Sequence, residues 1–201
     1  MVTADKKLLA DIYGGMQMAN KTKNSGKQFE KDFSSSIPSY CYVHRLRDSA
    51  QSYNKSNNTK FAWDNECDFF IWDSNAHLFY AVECKTTKYK SMSVQLDKED
   101  KSSKMIKYHQ IESLTKISEY SGAIAGLYLN FRDEKNDTER LYFMNIVDFN
   151  AMMNKIGKQS FNEMDILLNN GVKISGRKKR IHFSWDIDEF LKAQSQSLIN
   201  R

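Results

Sequence analysis

Glu66-Cys67-Asp68-Phe69-Phe70-Ile71-Trp72, then Asp73-Ser74-Asn75-Ala76-His77, then Leu78-Phe79-Tyr80-Ala81-Val82-Glu83-Cys84-Lys85, is the stretch whose reading decides the fold. Two runs rich in aromatic and apolar residues flank a cluster of turn formers, which reads as a β-hairpin. Side chains alternate along a strand, so Glu83 and Lys85 share one face while Val82 and Cys84 share the other. A two-residue loop at Asn75-Ala76, or a symmetric four-residue one, sets Asp68 opposite Glu83 on that same face. The two carboxylates then converge within about 5 Å. Glu66, two residues before Asp68, joins the face as a third acid.

Like charges packed so closely repel unless a cation joins them. Magnesium suits such a patch, because it takes oxygen ligands, keeps several waters and binds through one or two carboxylates together with substrate phosphate oxygens. Lys85 would stand beside the attacked phosphate, helping to orient or deprotonate water and to offset charge growing on the phosphorane. The chemistry expected is phosphodiester hydrolysis. The same spacing also describes an ordinary half-exposed hairpin with Glu and Lys on its wet side, and spacing alone leaves both readings open.

Outward from the hairpin, residues 4–19 read as a short helix followed by a polar break at 20–24. A second helix at residues 25–35 carries Phe29 and Phe33 on its buried stripe. Residues 40–46 alternate as a strand, and 47–60 form a polar loop or protrusion. After the hairpin, a polar loop over 87–103 leads to a helix over 104–120 with Ile111, Leu114 and Ile117 on one side, ended near Gly122. Residues 123–131 and 140–147 read as strands around the charged turn 132–137. Helices follow at 149–156 and 161–168, then a strand at 181–185 and a closing helix at 186–193. The order predicts an α/β fold, a mixed central β-sheet flanked by helices. With 8 glycines and 1 proline in 201 residues there is little material for a flexible interdomain linker, and one compact unit is expected.

Hydrophobic residues at 40% and aromatics at 12% are too many for a disordered chain. A mean hydropathy of -0.66 and the lack of an uncharged run of roughly eighteen residues exclude a membrane-spanning helix. Residues 1–20 do not read as a secretory signal, so a cytoplasmic location is expected. Lys and Arg outnumber Asp and Glu by 30 to 25, a net charge of +5. That is only mildly basic, but the charge is concentrated: lysines crowd residues 85–107, and residues 173–180 hold five basic side chains and no acid. The three cysteines, Cys41, Cys67 and Cys84, are too few and too widely spaced for a disulfide framework and read as reduced thiols. Cys41 and His44 look like half a zinc site without a second half.

Asp68 followed by Glu83-Cys84-Lys85 after an apolar strand resembles the PD-(D/E)XK nuclease motif, with Cys67 where proline is customary. Gly26-x-x-Phe29-Glu30 in an early helix, Asp48-Ser49-Ala50 before a polar stretch, Glu83-x-Lys85-x-Thr87, His109-Gln110-Ile111-Glu112 and a basic C-terminal segment narrow the resemblance to RecU-type Holliday junction resolvases. It spans roughly residues 24–190. It implies a restriction-endonuclease-like core at 24–201 with a protrusion at about 47–62, preceded by an N-terminal extension at 1–23. It implies Mg2+, with Mn2+ able to substitute, held by Asp68, Glu83, Gln110 and Glu66. Lys85, with Asp68 and Glu83, would be catalytic, and Glu30 would orient water.

The expected partner is branched DNA, a four-way junction, gripped by Arg45, Arg47, Lys60, Lys88, Lys90, Arg177, Lys178, Lys179 and Arg180. A homodimer is expected, with no membrane and no small-molecule cofactor. The sequence departs from the family where threonine usually stands at Glu66, in a longer segment between Lys85 and Gln110 and in a shorter protrusion. Two alternatives remain: another PD-(D/E)XK nuclease of restriction or repair-nicking type, and a non-catalytic branched-DNA-binding module using aromatics such as Tyr53, Phe61 and Trp63.

Overall fold

The computed structural model describes residues 25–46 and 65–199. The expected helix at 4–19, the extension at 1–23 and the whole protrusion at 47–62, with Arg47, Asp48-Ser49-Ala50, Tyr53, Lys60 and Phe61, lie outside the described residues, as does Trp63.

Six strands form the central sheet: β1 (Cys41–Arg45), β2 (Phe69–Asp73), β3 (Leu78–Thr87), β5 (Ala123–Asp133), β6 (Thr138–Asn145) and β8 (Val172–Ile174). They lie side by side in the order β1-β2-β3-β5-β6-β8. Only β3 and β5 run parallel; every other pair is antiparallel. This is a mixed α/β fold, because the β3-to-β5 connection crosses over the sheet and carries a helix on its way.

β5 shows why the sheet sits in the middle. It is apolar on both sides, the pattern of a strand covered on both faces. Ala125, Leu127, Leu129 and Phe131 enter one buried cluster, and Ile124 and Tyr128 the other. The first cluster lies under α2 (Tyr108–Ser118), α3 (Ile146–Ile156) and α4 (Glu163–Leu168), through Leu114, Phe149, Met152, Met153 and Ile166. The second lies under α1 (Ser25–Ser34) and α5 (Ile187–Ile199), through the expected Phe29 and Phe33 and through Ile187, Phe190 and Leu191. Gly126 permits close packing within the sheet, for a Cβ there would meet the Met144 carbonyl oxygen at 2.5 Å.

Several boundaries differ from the sequence reading, each for a local reason. The helix expected from 104 begins at Tyr108 because Ile106 is buried and paired in a bridge with Val94, its amide donating to the Ser93 carbonyl at 3.0 Å. The strand expected to reach 147 stops at Asn145, whose side chain accepts from the Val147 amide at 2.9 Å and so caps α3. The expected loop at 87–103 contains β4 (Ser91–Ser93), which pairs with β7 (Ser160–Asn162) and sets Met92 against Phe161. The helix expected from 161 therefore starts at Glu163. Part of the basic stretch is ordered too: β8 edges the main sheet, and β9 (Gly176–Lys178) forms a two-stranded ribbon with β10 (Phe183–Trp185).

Candidate active site

The hairpin turns through residues 74–77, with His77 in the left-handed region at φ 55°. It is the symmetric four-residue form, and it pairs Phe69 with Val82 and Trp72 with Phe79. The ladder ends at Phe69, one residue short of the acid. There the pairing slips by one residue, for the Asp68 backbone amide donates at 3.1 Å to the carbonyl of Val82, the residue that already faces Phe69, as in a β-bulge. Its carboxylate Oδ2 accepts from the Cys84 amide at 2.8 Å. A side chain thus satisfies a strand donor and is fixed in place by doing so.

Glu83 is buried at 2% exposure, in the middle of β3 beside Leu127 of β5. Lys85, two residues on and so on the same face, brings its Nζ to 2.7 Å from Glu83 Oε1. From the other side Gln110, in the first turn of α2, donates Nε2 to that same oxygen at 2.5 Å. Gln110 is itself held, for its Oε1 accepts from the Lys107 amide at 3.0 Å. Burial pushes the Glu83 carboxyl up to about 7, with Lys85 pulling it down and the neighbouring Asp68 raising it further. The site therefore holds two neighbouring carboxylates, one ammonium and one amide.

The other predicted residues are placed differently. Glu66 is exposed in the bend ahead of β2 and makes no hydrogen bond to this cluster. Glu30, on α1 against the opposite side of the sheet, is paired with Arg45 through both Nε and a terminal nitrogen. Its charge acts at Cys84, where burial first and then Asp68, Glu83 and Glu30 hold the thiol well above its ordinary range. Cys67, pushed up to about 12 by burial and by Glu83, is likewise a protonated thiol. All three cysteines are free. Among the described residues no three His, Cys, Asp or Glu side chains gather into a metal set.

Lys88 and Lys90 are exposed immediately beyond β3, past the end that carries Lys85. Arg177 and Lys178 lie on β9, Lys179 and Arg180 in the turn to β10, all exposed. Lys178 is ion-paired with Asp137 of the β5–β6 turn. The sequence reading missed Gln95, whose Oε1 accepts from the Tyr108 amide at 3.1 Å and so supplies the start of α2 with an acceptor. Its backbone amide donates to the Ile106 carbonyl at 2.9 Å. No spacing signal links Gln95 to Gln110, because the connection runs through a bridge that exists only in three dimensions.

No family model matches the chain. A relative by sequence is an SPbeta prophage-derived uncharacterized protein, YotM, of Bacillus subtilis strain 168, 26% identical over 179 residues, covering 83% of this chain and 84% of the relative. Among solved structures, Hjc of Archaeoglobus fulgidus, a Holliday junction resolvase from an archaeal hyperthermophile, superposes with a TM-score of 0.44 at 16% identity over 74% of this chain and 95% of that one. No helix among the described residues is long and apolar enough to cross a membrane.

Proposed function

We propose that this chain is a magnesium-dependent, structure-selective endonuclease of the RecU type that resolves four-way DNA junctions by phosphodiester hydrolysis in recombination and repair. One observation carries the reading. Asp68, just ahead of β2, neighbours the buried Glu83 of β3, and the Lys85 ammonium lies 2.7 Å from Glu83, which is an expensive arrangement for a surface hairpin and a useful one for phosphate chemistry.

The donor set suits magnesium. Both carboxylates are hard oxygen ligands, two of them suffice for an ion that keeps several waters, and burial penalises the charged form of Glu83 even beside Lys85, a cost that a further cation would offset. Asp68 and Glu83 would hold the ion, with Mn2+ able to replace it, and the ion would supply Lewis acidity toward water and the phosphoryl oxygens. The rest of the work falls to the chain. The Cys84 amide fixes the Asp68 carboxylate, and the Gln110 amide fixes one oxygen of Glu83. Lys85 lies where it can hydrogen-bond a water or a non-bridging phosphate oxygen and offset charge as the pentacoordinate state forms. Glu66 and Glu30 fall outside this set.

Two such sites are needed to cut a junction symmetrically, so the active species is a homodimer. Lys88, Lys90 and the β9–β10 ribbon would contact backbone phosphates. The test compares a mobile four-way junction with a linear duplex of the same sequence, with and without Mg2+. Paired, metal-dependent nicks in the junction alone are expected. Equal cutting of the linear duplex would move the reading to another nuclease of the same motif, and junction binding without cutting would leave a DNA-binding module.

A further inference from the structure

Among the described residues, the sheet face that carries Glu83 and Lys85 is helix-covered over β5 and β6 but has no helix over β1 and β2. Tyr42 of β1 is 66% exposed and Trp72 of β2 is 42% exposed. They stand directly opposite one another, and Trp72 stands opposite Phe79 of β3. The next row toward the acids is His44, Phe70 and Ala81. Residues paired across a ladder point to the same side, and the burial of Cys41, Val43, Phe69 and Ile71 on the other side confirms the assignment. The rings are in contact, with centroids 5.2 Å apart for Phe70 and Phe79 and 6.3 Å for Trp72 and His77.

We propose that this open aromatic half-face is a stacking platform for unpaired DNA bases, with Trp72 and Tyr42 as the stacking rings and the strand beyond them leading to Asp68 and Glu83. The proposal rests on the nuclease reading and adds to it a preference for single-stranded DNA beside the branch. Three observations favour this occupant. The patch is aromatic rather than aliphatic, and every base offers a π-face to such rings whatever its sequence. None of Tyr42, His44, Phe70, Trp72, Phe79 and Ala81 is acidic, so the platform presents no charge that repels phosphates. Trp72 lies four residue steps from Asp68, roughly 13 Å, which is about four stacked nucleotides. A protein partner laid over the same rows would obstruct the approach to the acids, whereas a strand lying along them runs into the site.

The test measures binding by fluorescence anisotropy in EDTA, so that nothing is cut. The probes are a short dT oligonucleotide, a fully paired four-way junction, and a junction with an unpaired dT tract next to the branch. The double variant Tyr42→Ala/Trp72→Ala should weaken binding of the oligonucleotide and of the gapped junction by about tenfold or more, and that of the fully paired junction by less than about twofold. Trp72→Phe should keep most of the affinity, since it keeps a ring.

Equal weakening of both junctions, or no change in any, overturns the proposal. So does a change of oligomeric state in the double variant by sedimentation, which would make the face a contact between copies. Should Trp72→Ala melt early, Tyr42→Ala alone still decides, because that side chain is largely in solvent. A wild-type protein that binds dT through these rings yet cuts nothing in Mg2+ sinks the nuclease reading and keeps the platform. One that cuts junctions while ignoring the rings sinks only the platform.

Discussion

Gln110 donates from α2 to Glu83 on β3 at 2.5 Å, and the accepting oxygen is the one that also takes the Lys85 ammonium at 2.7 Å. Two donors from separate elements thus converge on one oxygen of a buried carboxylate. The helix that brings Gln110 is anchored in turn by the side chain of Gln95 and by the Val94–Ile106 bridge.

Removing the amide should loosen Glu83 without removing it. For Gln110→Ala, cleavage should fall roughly tenfold to a hundredfold, the usual cost of losing a group that orients a ligand, and the Mg2+ concentration for half-maximal rate should rise. Junction affinity in EDTA should be unchanged. A rate and a magnesium requirement both equal to wild type would leave Gln110 as a mere edge-of-core residue.

The raised Glu83 carboxyl makes a prediction about the metal-free fold. Its folded value is about 7 against 4.5 in the unfolded chain, so between those two the unfolded state has lost a proton that the folded state keeps. Stability from this group is fully present below pH 4.5 and is lost as the pH rises toward 7. Glu83→Gln, which cannot ionise, should match wild type in acid and exceed it above neutrality by up to about 3 kcal/mol in urea unfolding with EDTA present. Adding Mg2+ should raise the stability of wild type more than that of the variant. A variant less stable than wild type at every pH would mean that the charged carboxylate supports the fold.

The hairpin was legible in the sequence because its signals are local: turn formers between two apolar runs fix the register from Phe69 to Asp73, and alternation sets Glu83 and Lys85 on one face, whereas Asp68 lies where the pairing slips by one residue. The stripe of Phe29 and Phe33, and that of Ile111, Leu114 and Ile117, were legible for the same reason. What escaped depends on long-range pairing. β4, β7, β8 and β9 have three residues each, too short for any period to register. Glu66 shows the limit of parity. It sits two residues before Asp68, but the strand begins only at Phe69, so alternation no longer governs where it points.

Separate variants distinguish chemistry from binding. Asp68→Asn keeps an oxygen for the Cys84 amide and should abolish cleavage while retaining or strengthening junction affinity, because lost negative charge beside a phosphate lowers repulsion as it removes a metal ligand. Lys85→Ala should also abolish cleavage, and it leaves the buried Glu83 without its ammonium, so a thermal melt must accompany it. Parallel loss of cleavage and binding with an unchanged melt would assign these residues to DNA contact.

The basic ribbon should act through counterion release, each neutralised phosphate freeing a condensed cation, so binding should weaken steeply with salt. Replacing Arg177, Lys178, Lys179 and Arg180 by Ala should reduce the slope of log affinity against log salt by about one unit for each contact made. The four are not equivalent. Lys178 is already paired with Asp137, so DNA must compete with a carboxylate for it, and Lys178→Ala alone should change the slope least. Asp137→Asn should release that lysine and strengthen junction binding slightly at low salt. If the quadruple variant keeps both affinity and slope, the ribbon is a solvated edge, and the backbone contacts belong to Lys88 and Lys90 beside the active site.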